Sequence, residues 1–107
     1  MRIFVLKTCD TCRKALKALR DAGHVPEVID VRADGVSAQT IAAVLAQLGD
    51  AVVNKSSATW RGLSDAEKAR PVADLLVDHP TLIKRPVIDV DGTFSVGWKP
   101  ETQAKYL

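Results

Sequence analysis

The sequence predicts an α/β protein in which a β-α-β unit leads, a helical insertion follows, and a β-β-α unit closes around a mixed sheet of about four strands. Three observations carry this. Residues 2–6, RIFVL, give an apolar run that is followed within a few residues by apolar positions at helical spacing. The stretch from about 36 to 80 shows helix starts and stops and no strand pattern. Near the end, Asp91-Gly92 stands between two β-rich runs, the strongest short hairpin signal in the chain.

Each element has its own reason. After Arg2, the run to Leu6 is continuously apolar and β-rich, as in a strand buried on both faces. From Thr11 to Gly23, residues Cys12, Ala15, Leu16, Leu19 and Ala22 share one helical face. Lys14, Lys17 and Asp21 take the other, and Gly23 is the C-terminal stop. Residues 25–32, VPEVIDVR, read as a second strand, with Pro26 near its start where a missing N–H is tolerated. Strand, helix and strand in roughly 30 residues make a unit whose two strands are parallel.

In the insertion, Ser37 caps a helix whose residues Ile41, Val44, Leu45 and Leu48 repeat at helical spacing before Gly49. Residues 64–67, SDAE, have the capping-box pattern of a short helix. Pro71 opens another helix and Pro80 stops it. Between these, residues 54–62, NKSSATWRG, read as a polar loop carrying one large aromatic. Residues 86–90 and 93–98 form the hairpin strands, and Pro100 starts a terminal helix reaching about Tyr106.

The chain has 107 residues, 47% of them hydrophobic, which suits one domain over 1–107 with a modest core and the insertion at about 36–80. Fifteen basic and 13 acidic residues leave +2, which neither demands nor excludes a nucleic-acid partner; no direct one is expected. No run approaches the roughly 18 apolar residues of a membrane span. The apolar run Ile3 to Leu6 is also shorter than the about 7–15 residues of a secretory signal core. A monomer in a reducing cytoplasm is expected, where paired cysteines are more often catalytic or metal-binding than structural.

Both cysteines lie in residues 6–14, LKTCDTCRK. Cys9 falls in the loop after the first strand, at the start of the first helix, and Cys12 one turn inside it. Sites in open α/β sheets gather beyond the carboxyl ends of strands, where Cys9 sits. Unpaired N–H groups and the helix dipole favour a thiolate there; Lys7 and Arg13 add positive charge and Asp10 opposes it. A lowered Cys9 pKa is the net expectation. Cys12, on the apolar helix face, reads either as a second redox thiol or as a small buried residue. A zinc site needs about four ligands. Only His24 and His79 remain, the first resembling a solvated helix end and the second a helix C-cap, so no metal is expected. Trp60 and Trp98 read as core or pocket walls.

These features together resemble the arsenate-reductase-like branch of the thioredoxin superfamily over essentially the whole chain. The resemblance rests on KTCDTCRKAL (7–16), NKSSATWRGLS (54–64), HPTLIKRPVI (79–88) and VGWKPE (96–101), together with the helical insertion. It implies a thioredoxin-like fold with Cys9 as the nucleophile; Cys12, one turn further along, is close enough to resolve a mixed disulfide or sulfenic acid formed there, or is a core residue. Arg85 matches an oxyanion-site arginine, and Pro86 the proline that is cis in this superfamily. Lys99 stands where arsenate reductases carry another arginine. Near NKSS those enzymes supply a further arginine, where this chain has Asn54 and Lys55. A guanidinium forks onto an oxyanion while a lysine binds as a point charge, so the exchange is not neutral.

The anion-binding set implied is Arg85, Lys99 and Lys55, with Arg13, Thr8 and Thr11 beside the cysteines. The function implied is a thiol-dependent oxidoreductase acting on a small oxyanion, a disulfide or a glutathione mixed disulfide. No cofactor is bound, and glutathione or a small glutaredoxin or thioredoxin supplies electrons. Two other classes share the branch's features: a redox-sensing regulator that binds RNA polymerase, and a glutathione-binding module without dithiol chemistry.

Overall fold

The computed structural model describes residues 1–107. Strand β1 (Arg2–Val5) leads into helix α1 (Asp10–Asp21) and strand β2 (Glu27–Asp30). The insertion holds α2 (Ala38–Leu48), α3 (Ala58–Arg61), α4 (Asp65–Lys68) and α5 (Val72–Asp78), with short 3₁₀ turns at Gly49–Val52 and Pro80–Leu82. Strands β3 (Val87–Val90) and β4 (Thr93–Val96) and helix α6 (Pro100–Gln103) close the chain. The sheet order is β2-β1-β3-β4, with β1 parallel to β2 and antiparallel to β3, and β3 antiparallel to β4.

Strand periodicity sends alternate side chains to opposite faces, and that builds two cores. Ile3 and Val5 pack with Cys12, Ala15 and Leu19 of α1 and with Ile88. Phe4 and Leu6 face the other way, onto Ile41 and Val44 of α2, Leu75 and Leu76 of α5, and Val87. The result is three layers: α1 and the C-terminal turns on one face, the insertion on the other. Cys9 lies beyond the carboxyl end of β1, a central strand, and packs against both cores.

The hairpin forms where Asp91-Gly92 placed it, with φ of 52° and 85° at the two turn residues, the signs a type I′ turn demands. Asp89 accepts the Gly92 N–H at 2.8 Å, and on β1 the directly opposed Arg2 meets the same carboxylate at 2.7 Å. The β4 edge is covered. Gln47 of α2 accepts the Phe94 N–H at 2.9 Å through its carbonyl oxygen and donates its amide to the Gly92 carbonyl.

Three elements differ from the sequence expectation. The second strand is Glu27–Asp30 rather than 25–32, because Pro26 has no N–H to offer and Asp30 turns the chain by accepting the N–H groups of Arg32 and Ala33. The segment 54–62 is not loop throughout: Ser57 accepts the Trp60 N–H at 3.1 Å and caps the single turn of α3. Regular helix α6 ends at Gln103, and hydrogen-bonded turns carry the chain on to Leu107. No helix is long and apolar enough to cross a membrane.

Candidate active site

The turn between β1 and α1 sets the position of Cys9. Its N–H donates to the Leu6 carbonyl at 2.9 Å, and its extended backbone makes it the N-cap of α1. The Cys9 sulfur accepts the Cys12 N–H at 3.4 Å, so the group that caps the helix is the thiol itself. The peptide groups around Lys7 are held from two sides. Asp30 Oδ2 accepts the Lys7 N–H at 3.2 Å, and Arg13 donates to the Lys7 carbonyl through Nε at 3.1 Å and Nη2 at 2.9 Å. Arg13 is in turn paired with Asp10 at 2.9 Å.

Burial works to raise the pKa of Cys9, but the Cys12 thiol and N–H and the charge of Arg85 outweigh it and hold the thiol below its ordinary value of 9.0. Cys12 goes the opposite way. It is 2% exposed, and burial, reinforced by the facing Cys9 sulfur, pushes its thiol up to about 12. Of two thiols in one turn of helix, Cys9 ionises and Cys12 keeps its proton. Both cysteines are free.

Cys9 opens into a cavity of about 610 Å³. Arg85 forms one side of it, its guanidinium donating from Nη1 to the Thr81 and Ile83 carbonyls at 2.7 and 3.1 Å. Its Nε is buried and has no partner in the protein. Lys84 and Lys99 are on the same rim, and Glu101 is the one carboxylate there. Gly97 turns the chain from β4 toward Lys99 at φ 86°, a conformation that favours glycine, while its N–H donates to the Pro86 carbonyl at 2.8 Å. The Arg85–Pro86 peptide is cis. Lys84, Arg85 and Lys99 take part in none of the ion pairs of the structure.

The cavity therefore gathers Cys9, Arg85 and Lys99 from the residues the sequence singled out, with Pro86 next in the chain to Arg85. Four others are placed elsewhere. Arg13 points back to Asp10 and the Lys7 carbonyl, so the charge acting on Cys9 is that of Arg85. Thr8 is exposed beside Asp30 and Arg32, and Thr11 is exposed on α1; neither lines the cavity. Lys55 lies over the Trp60 ring, 5.5 Å from its centroid, outside the cavity. Lys84, Asn54 and Glu101 do line it. Lys84 had a signal in the sequence, since it immediately precedes Arg85-Pro86 and a rigid turn exposes neighbouring side chains together.

His24 is tied down rather than solvated, its Nε2 lying 2.8 Å from the Tyr106 carbonyl. His79 does cap α5, its N–H donating to the Leu75 carbonyl. Trp60 and Trp98 pack against the two cores, and neither lines the cavity.

A family model described as the ArsC family matches residues 4–106. The chain belongs to the ArsC family. A Haemophilus influenzae protein described as uncharacterized is 37% identical over 110 residues, spanning 97% of this chain and 96% of its own length. A solved protein named YFFB (PA3664) superposes with a TM-score of 0.90 at 31% identity, over 99% of this chain and 97% of its own. An arsenate reductase (ArsC) related protein from Brucella melitensis superposes with a TM-score of 0.73 at 29% identity, over 98% and 92% of the two chains. The thioredoxin-like α/β fold and the thiol-dependent, reductase-like character of the family thus extend over the full length of this chain.

Proposed function

We propose that the protein is a thiol reductase that uses Cys9 alone as nucleophile and an external thiol, glutathione, as electron donor. One observation carries this reading: a thiol capping α1 at 3.4 Å from the Cys12 N–H opens onto a cavity whose cations, Lys84, Arg85 and Lys99, have no carboxylate partner. Unpaired cations around a thiolate attract an anionic substrate and stabilise charge that develops on it.

In the reaction, the Cys9 thiolate attacks the glutathionyl sulfur of a mixed disulfide. A new Cys9–glutathione disulfide forms, the old S–S bond breaks, and the other thiol leaves as a thiolate that takes a proton from water. A second glutathione thiolate then attacks the glutathionyl sulfur held on Cys9. Glutathione disulfide departs and Cys9 is again a thiolate; in sum the mixed disulfide and one glutathione thiol give the free thiol and glutathione disulfide. Cys12 stays protonated beside the Cys9 sulfur, because burial makes its ionisation costly. Lysine at 99 in place of a second guanidinium favours point-charge binding of carboxylates over forked binding of a tetrahedral oxyanion, so a glutathionyl disulfide ranks above arsenate.

The test is a panel of arsenate, hydroxyethyl–glutathione mixed disulfide and cystine, with glutathione as reductant. Turnover of the mixed disulfide by wild type and by Cys12→Ser, and none by Cys9→Ser, is the expected result. Turnover that survives Cys9→Ser, or that a folded Cys12→Ser variant loses, overturns the reading.

A further inference from the structure

The Cys9 cavity does not end at Lys84. Ala51, Asn54 and Lys84 form a wall whose far side lines a second basin of about 440 Å³, which also holds Lys55 and Asp50. The wall is stiff. The Asn54 N–H donates to the Leu82 carbonyl and the Lys84 N–H to the Val52 carbonyl, both at 2.7 Å, on either side of the Val53–Ile83 bridge.

The basin's polar groups are free to meet a ligand. Neither Lys55 nor Lys84 belongs to an ion pair, and Asp50 forms none with them. The Lys55 ammonium is held over the Trp60 ring at 5.5 Å, and Lys68 stands at 5.5 Å from the same ring, so the aromatic face limits where Lys55 can reach. Asn54 spends its Oδ1 on the Ser56 N–H at 3.1 Å, and no protein acceptor takes its Nδ2 hydrogens.

Thiol–disulfide exchange brings the attacking, central and leaving sulfurs nearly into line. The leaving half therefore lies on the far side of the central sulfur from Cys9, and the half that becomes bonded to Cys9 projects sideways from that line. A site for this reaction needs space beyond the central sulfur, and the second basin offers it, bounded by two lysines and one carboxylate, Asp50, none of them ion-paired. We infer that the second basin receives the leaving thiol, and that Lys55 and Lys84 select leaving thiols bearing a carboxylate. The inference rests on the exchange reaction proposed above. It also gives Lys55 a role that its distance from the Cys9 cavity denies it as a direct partner of the reacting sulfur.

The test uses the full chain and three mixed disulfides of glutathione, with cysteamine, mercaptoethanol and mercaptosuccinate. Each kcat/KM is divided by the rate of the uncatalysed reaction with glutathione, which removes differences in leaving-group reactivity. The mercaptosuccinate disulfide is expected to exceed the mercaptoethanol one about fivefold, the size of one or two exposed ion pairs, with cysteamine lowest. The preference shrinks as ionic strength rises. Lys55→Gln moves the anionic-to-neutral ratio toward one, and Lys55→Arg restores it. Cys9-dependent turnover with equal ratios, or a ratio unmoved by Lys55→Gln, overturns the inference alone. Absence of turnover of all three overturns the reaction beneath it and the inference with it.

Discussion

The Cys12 N–H donates to the Cys9 sulfur at 3.4 Å, and the buried Cys12 thiol lies beside the same atom. The two thiols titrate as a pair, the first proton leaving from Cys9 below 9.0 and the second from Cys12 at about 12. Alkylation by iodoacetamide, followed against pH, should show one reactive thiol with a midpoint below 9.0. In Cys12→Ala the S–H donor is gone while the backbone N–H remains, so that midpoint moves up. A midpoint unchanged in Cys12→Ala shows that the Cys12 thiol does nothing to hold the Cys9 pKa down.

The same pair predicts a stability change in alkali. Cys12 ionises near 9.0 once unfolded and only at about 12 when folded, so unfolding releases its proton anywhere between. Its contribution to stability is present below pH 9.0 and is lost as pH rises toward 12, at about 1.4 kcal/mol per pH unit. Urea midpoints at pH 8, 9 and 10 (assay conditions, ~1 unit apart) should fall more steeply for wild type than for Cys12→Ala. Equal slopes rule it out.

Arg85 acts on Cys9 through its charge and is aimed by two carbonyls, those of Thr81 and Ile83. Arg85→Ala should raise the Cys9 midpoint and lower kcat/KM on the order of 10²-fold, the cost of removing one donor from a charge-stabilising site. Arg85→Lys keeps a charge that nothing holds in place, so it should fall between the two. A rate for Arg85→Lys equal to wild type would show that charge alone suffices.

Much of this was legible in the sequence because it is written in short-range patterns. The helix starts at Ser37 and Ser64, the stop at Gly49 and the Asp91-Gly92 hairpin each depend on neighbouring residues alone. Cys9 was legible for the same reason, since a strand followed by a helix puts the intervening loop beyond the strand end. What escaped depends on which of several partners a side chain takes, or on contacts distant in the chain. Arg13 is four residues from Cys9 yet turns away because Asp10 and the Lys7 carbonyl offer it better partners. Asn54 and Glu101 reach the Cys9 cavity only through the packing of segments far apart in the chain, which no local pattern records.

Gln47 illustrates a long-range contact with a measurable cost. It is exposed on α2, yet its amide pairs with both Phe94 and Gly92 across 47 and 45 residues and closes the β4 edge. Gln47→Ala should destabilise the protein by about 1–2 kcal/mol, the range for two hydrogen bonds of modest net value. Amide exchange should quicken first at Phe94, whose N–H loses its acceptor. Protection of Phe94 unchanged in the variant refutes this.

Asp30 is the residue on which the Cys9 loop hangs from the far side. It is 7% exposed and accepts three backbone N–H groups, from Ala33 at 2.9 Å, Arg32 at 2.8 Å and Lys7 at 3.2 Å. The Ala33 N–H contributes most to holding the carboxyl below its ordinary 3.8; burial opposes it, and the Arg32 and Lys7 N–H groups add to it. Because the folded value is depressed, this stability is present above pH 3.8 and is lost as pH falls through the lower folded value. Asp30→Ala strands three donors and should cost on the order of 3 kcal/mol. It also frees the Lys7 peptide on one side, so the Cys9 sulfur should drift from the Cys12 N–H and its alkylation midpoint should rise. Asp30→Asn keeps the shape but loses the charge, and should remove the acid-dependent stability while costing less at neutral pH. If Asp30→Ala lowers stability and leaves the Cys9 midpoint where it was, Asp30 holds the fold and has no part in placing the thiol.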